Sequence, residues 1–161
     1  MRLATARTKA AALALWAALA ATVPAGAGPI EELSGYWSGG GTVYLKDRAT
    51  EKVKCAVIYK VEQGGGQIRQ TIRCASADYN INAKAELQVV GAQVTGSWEE
   101  RTYSTAGQVS GRYTGNGFTL SIEGANFTAA MSLGVSGCKQ TISIQPKDHD
   151  VKRISMSLAK C

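Results

Sequence analysis

Two cysteines placed symmetrically about a run of three glycines constrain this chain more than any other feature. Cys55 and Cys74 are equidistant from a point inside Gly64-Gly65-Gly66. Folding the chain back at that point sets Val53 opposite Ser76, Val57 opposite Ile72 and Val61 opposite Ile68, and Cys55 then faces Cys74. Side chains alternate along a strand, so Cys55, Val57, Tyr59, Ile68 and Ile72 share one face. Lys54, Lys60, Arg69 and Arg73 share the other. One register satisfies both strands, which predicts an antiparallel hairpin braced by a Cys55–Cys74 disulfide. Cys138 and Cys161 form the second pair, centred near His149 in the turn Pro146-Lys147-Asp148-His149-Asp150. Their parity conflicts. Ile142 and Ile144 alternate in phase with Cys138, whereas Ile154, Met156 and Leu158 are out of phase with Cys161. A bulge, or a last residue swinging round the strand end, reconciles them. The spacings are too wide for a zinc site, and no metal is expected.

The rest of the chain repeats the hairpin's grammar. Short alternating segments recur between glycine-rich turns, and no stretch carries an amphipathic helical stripe. Strands are expected at 36–46, 52–62, 67–76, 84–90, 93–103, 108–114, 118–123, 127–133, 139–145 and 151–160. Gly115-Asn116-Gly117 and Gly124-Ala125-Asn126 are tight-turn sequences. Connectors this short make sequential strands antiparallel neighbours. The fold class is therefore all-β, a meander of eight to ten strands. Closure into a barrel removes the exposed edges, and a β-sandwich is the alternative. With 45% apolar and 19% charged residues in 161, one globular domain fits; disordered and fibrous classes do not.

An internal pattern recurs in Leu33-Ser34-Gly35-Tyr36-Trp37, Val94-Thr95-Gly96-Ser97-Trp98 and Val109-Ser110-Gly111-Arg112-Tyr113. The aliphatic, glycine and aromatic positions fall on one strand face, where glycine relieves crowding at a bend. Gly35-Tyr36-Trp37 is similar to the G-x-W opening of the calycin barrels, which include lipocalins and small bacterial metalloprotease inhibitors. The repeat also resembles the strands of avidins. These resemblances imply an exported barrel that binds a ligand or a protein. The chain has no lipocalin-type terminal helix.

The amino terminus reads as an address. Arg2, Arg7 and Lys9 precede an apolar stretch, residues 10–21, that is too short to span a bilayer. Ala25-Gly26-Ala27 fits a signal-peptidase site. Cleavage after Ala27 leaves a single β-barrel domain, residues 28–161, in the periplasm or outside the cell, with no transmembrane segment. Export also suits an even cysteine count. The alanine-rich leader points to a bacterium, in which the Asn126-Phe127-Thr128 sequon stays unmodified. Net charge is +6, and three of the basic residues belong to the leader.

Catalytic chemistry finds little support. His149, the single histidine, sits between Asp148 and Asp150 in a turn, and no G-x-S-x-G elbow is present. Glu99 and Glu100 are adjacent, so they point to opposite faces and cannot act as an acid/base pair. Glu100 shares parity with Val94 and Trp98 and points inward, to orient a ligand or to pair at the rim with an arginine such as Arg112. Trp37, Trp98 and Tyr113 share the inner face, as core filling or as ligand lining. The ligand-binding candidates are thus Trp37, Trp98, Glu100 and Tyr113. On the outer face Lys60 lies opposite Arg69, with Lys54 and Arg73 along the same stripe and Glu51 and Glu62 flanking it. Like charges directly opposed cost stability unless an anion meets them. Nucleic acid is not the expected partner, because no aromatic is interleaved with this face. The expectation is a non-enzymatic, exported barrel without catalytic residues or cofactor, binding a small ligand in its mouth. The alternative is an interaction module, such as a protease inhibitor or envelope-associated factor, using the arm at 28–33 or the basic face.

Overall fold

A computed structural model describes residues 30–161; the leader and its cleavage site lie outside the described residues. A single 3₁₀ turn, Glu31–Leu33, leads into ten strands. They are β1 (Gly35–Leu45), β2 (Glu51–Glu62), β3 (Gln67–Ala75), β4 (Asn80–Val90) and β5 (Gln93–Glu100), then β6 (Thr105–Tyr113), β7 (Gly117–Gly124), β8 (Phe127–Ser136), β9 (Lys139–Pro146) and β10 (Val151–Ala159). Each strand pairs antiparallel with its predecessor and β10 closes on β1, so the sheet is a barrel, not a sandwich. Closure leaves no strand edge unpaired, the liability an open ten-stranded meander would carry.

The hairpin register is the one its sequence symmetry requires: Cys55 pairs with Cys74, Val57 with Ile72, Val61 with Ile68 and Lys60 with Arg69. The Cys55–Cys74 disulfide joins Cα atoms 4.1 Å apart, as expected for directly opposed residues whose side chains approach closely. The second bridge, Cys138–Cys161, spans 5.5 Å. Its parity conflict is resolved at the chain end. The Lys160 N–H donates to the Cys138 carbonyl at 3.1 Å, and Cys161 lies beyond the last strand, free of its alternation. The register shift of β10 against β1 lies elsewhere, at Tyr44 and Leu45.

Several strands depart from their expected limits. β4 begins at Asn80 instead of 84, because Asn80, Asn82 and Ala83 find partners in Ala75, Arg73 and Ile72 despite weak strand preference. β5 stops at Glu100 instead of 103, where its own side chain captures the next backbone amides. In the repeated pattern, Gly96 and Gly111 allow backbones to crowd together: a Cβ would collide with the carbonyl oxygen of Glu86 at one and of Thr119 at the other.

The two barrel ends differ. At one end the 3₁₀ turn folds over the opening, with Leu33 and Trp37 almost fully buried. The Trp37 indole N–H donates to the Leu33 carbonyl at 2.6 Å. Lys160 donates its ammonium to the Glu32 carbonyl and stands 5.0 Å over the Trp37 ring, a cation–π contact that clamps the plug to β10. The other end, formed by the β1–β2, β3–β4, β5–β6, β7–β8 and β9–β10 connections, carries no such cap among the described residues.

Candidate functional site

From the uncapped end a cavity runs down the barrel in two adjoining chambers. The outer chamber holds about 540 Å³ and the inner about 250 Å³. Ile72, Ile81, Trp98, Phe127, Ile144 and Ile154 border both. The space exists because inward positions on adjacent strands are small: Ala83 and Ala85 on β4, Gly96 on β5 and Gly107 on β6. Leu33 closes the inner chamber at the plugged end. Volumes of this order, mostly apolar with a few polar groups, are typical of small-molecule sites.

Trp98 stands at the centre of the site. It borders both chambers, and its indole N–H is held by the Glu123 carbonyl at 3.2 Å. Its ring meets Phe127 edge-on with centroids 6.4 Å apart, and Phe127 meets His149 edge-on at 6.1 Å. Three rings thus line one wall up to the mouth. His149 accepts the Val151 N–H on Nδ1 at 3.0 Å, which ties its ring to the turn that carries it. Among the described residues no group of three His, Cys, Asp or Glu side chains is placed to hold a metal ion.

Glu100 points inward and is 6% exposed, while Glu99 lies on the outer face bonded to Arg101 at 3.0 Å. The Glu100 carboxylate is occupied. It accepts the backbone N–H groups of Asn82 at 2.8 Å, Thr102 at 3.0 Å and Tyr103 at 2.7 Å. Burial raises its pKa, but these amides and the Thr102 hydroxyl outweigh that and hold the carboxyl below its ordinary value. The expected alternative, a rim pair with Arg112, does not form. Arg112 pairs with Gln93 at the far end of the β5–β6 hairpin, whereas Glu100 pairs with Thr105 at the mouth.

Trp37 and Tyr113 share the inner face with Trp98 but border neither chamber. Trp37 is the core of the plug. Tyr113 packs against Phe118 at 5.2 Å and donates its hydroxyl to the Gly115 carbonyl at 2.6 Å. Burial, with Glu31 and Glu32 nearby, raises its pKa. Of the four expected ligand residues, the structure brings Trp98 and Glu100 to the cavity and leaves Trp37 and Tyr113 at the plugged end.

Sequence reasoning missed a polar cluster. Tyr59 and Gln70 pair across β2 and β3 and border the inner chamber, and Gln140 of β9 lies against Tyr59. The signal was available: Gln70 stands between Ile68 and Ile72, and Gln140 precedes Ile142 and Ile144, at positions whose parity points inward.

The basic stripe is exposed and in the expected register. Arg69 bonds Glu62 and stands opposite Glu86 as well as Lys60. Glu51 instead accepts the Ser76 hydroxyl at 3.1 Å. Lys54, Lys60 and Arg73 form no ion pair among the described residues.

No family model and no curated protein matches the chain. Among solved structures it is similar to a protein of unknown function from the DUF3598 family of Nostoc punctiforme PCC 73102, with TM-score 0.57 and 13% identity over 82% of this chain and 48% of that one. The chain therefore spans about half of the Nostoc protein. It is also similar to the S-type phycobiliprotein lyase CPES from Guillardia theta, with TM-score 0.54 and 12% identity over 80% of this chain and 86% of the lyase. At these identities the likeness is one of fold, and the closed antiparallel barrel is the architecture that the resemblance of the Gly35-Tyr36-Trp37 opening implied.

Proposed function

We propose that this calycin-type barrel is an exported, non-enzymatic protein that takes a small, largely apolar ligand through its uncapped end. The observation that carries the reading is the two-chambered cavity, walled by Ile72, Ile81, Phe127, Ile144 and Ile154 and centred on Trp98. A packed barrel core leaves few voids larger than a water molecule. Here large side chains fill the plugged end while alanine and glycine hold the middle open. The binding reading without catalysis draws support from His149 and Glu100, whose acceptor atoms are already committed to backbone amides. Export draws support from the basic and apolar leader and from two disulfides. The fold is also that of a phycobiliprotein lyase, so the fold alone does not decide between binding and catalysis.

Native mass spectrometry on protein purified from its own compartment tests this. A reproducible added mass that is lost in Trp98→Ala is the expected result. Failure of the wild type both to carry any such mass and to bind an apolar fluorophore would overturn the reading.

The outer face supports a second reading as an interaction surface. Lys54, Lys60 and Arg73 are exposed without ion pairs among the described residues, so an acidic partner would meet an uncompensated stripe. Pull-downs comparing wild type with Lys60→Glu/Arg73→Glu distinguish it. The amino-terminal arm suits partner contact less well, because Leu33 is spent on plugging the barrel.

A further inference from the structure

Apart from Trp98 and Glu100 toward the mouth, the inner chamber is hydrocarbon-walled except at one deeper place. There Gln70 donates its Nε2 to the Tyr59 hydroxyl at 3.3 Å, and the hydroxyl donates to Gln140 Oε1 at 3.4 Å. Both bonds are long, near the limit at which a hydrogen bond still counts. Gln140 is 1% exposed, and its Nε2 has no partner among the described residues. Buried polar groups are otherwise almost always satisfied, and an unpaired amide nitrogen is costly. Three polar side chains stand where the strand neighbours are isoleucine and valine, and core packing alone does not call for them.

The cluster is also uncharged. Burial drives the Tyr59 phenol far above its ordinary value, and the hydrogen bonds with Gln140 and Gln70 offset only part of that rise. Among the described residues no cation points into the chamber. The Lys84 side chain is exposed, its parity placing it on the outer face between Ala83 and Ala85. The Glu100 carboxylate would repel a second anion. Arg48, by contrast, borders the outer chamber at the mouth.

We infer that the ligand carries at its buried end an uncharged oxygen function, a hydroxyl or a carbonyl, which Tyr59 and Gln70 hold at the inner chamber, and that any anionic group it bears stays at the mouth beside Arg48. This rests on the reading of the cavity as a ligand site. A hydroxyl both donates and accepts, so it pairs with the phenol and the amide together. A carboxylate carried to the same depth would lose its hydration with no positive partner.

The test is displacement of an apolar fluorophore by dodecanol and by dodecanoate at pH 8, from wild type, Tyr59→Phe and Gln70→Leu. Circular dichroism melts confirm that each variant is folded, and Gln70→Leu serves if Tyr59→Phe is not. Either substitution is expected to weaken dodecanol about fivefold, the worth of one neutral hydrogen bond. Dodecanoate and the fluorophore stay within twofold. Equal weakening of all three probes, or dodecanol insensitive to both substitutions, overturns this inference while ligand binding itself stands. A wild type that binds no probe overturns both.

Discussion

Replacing Glu100 with glutamine is expected to cost the fold about 1.5–2 kcal/mol at pH 7 and close to nothing at pH 3. Oε1 takes the amides of Asn82 and Thr102, and Oε2 takes that of Tyr103. In Glu100→Gln the amide oxygen occupies the place of Oε1 and keeps two bonds. The amide nitrogen then confronts the Tyr103 N–H, donor against donor. One hydrogen bond to a charged group is lost, worth about 1.5–3 kcal/mol, and the lower part of that range applies where water reaches the rim. Alanine strands all three amides and is expected to cost about 2–4 kcal/mol. The pH dependence follows from the sign of the shift. The hydrogen bonds outweigh burial, so the folded-state pKa lies below the unfolded one. Stability from such a carboxyl is fully present above the unfolded value of about 4.3 and is lost as pH falls through the folded value. Urea melts of wild type and Glu100→Gln should therefore run in parallel from pH 7 to about pH 5.5 and converge below about pH 4. A gap as large at pH 3 as at pH 7 would show that the carboxylate's charge does not organise the β5–β6 turn.

Three further outcomes follow from the same geometry. Each disulfide closes a loop, with sequence separations of 19 and 23. Cys74→Ser and Cys161→Ser are each expected to lose about 3 kcal/mol, and an unchanged denaturation midpoint would count against the corresponding bridge. Trp37→Ala empties the plug and is expected to cost about 3–5 kcal/mol, while the folded fraction binds an apolar fluorophore with an unchanged Kd; a large change in Kd would place Trp37 in the site. Ala83→Phe introduces a ring beside the inner chamber and should displace the fluorophore while leaving the melting midpoint within a few degrees, so full binding in that variant would contradict a cavity bounded by Ala83.

The first hairpin was legible because two independent signals agree on one register: alternation along residues 52–62 and 67–76, and a cysteine pair mirrored about three glycines. A one-residue slip would have put Val57 and Cys55 on the opposite face from Ile72 and Cys74. Strand ends were less legible. At Glu100 the end depends on a side chain folding back onto the next amides, which alternation does not encode. At Cys161 it depends on how the chain leaves β10 after its last pair.

The candidate site divides along the same line, because parity assigns a side chain to a face but not to a depth. Trp37, Trp98 and Tyr113 all point inward. Successive strands of a meander reverse direction, however, so a residue near the start of an odd strand and one at the end of an even strand lie at the same barrel end. Trp37 is the third residue of β1 and Tyr113 the last of β6, which puts both at the plugged end; Trp98 lies near the finish of β5, toward the mouth. Strand order alone therefore sorts these rings by barrel end. What order cannot say is which end is stoppered, since that depends on Glu31–Leu33 folding across the opening and on Lys160, from the far end of the chain, fastening it there. The polar cluster shows the complementary gap. Gln70 and Gln140 are 70 positions apart in sequence, on strands that do not touch in the sheet, and each alone reads as an interruption in an isoleucine-rich strand. The first hairpin sets Gln70 beside Tyr59, and only closure of the barrel brings Gln140 to the same hydroxyl and joins the local irregularities into one polar cluster.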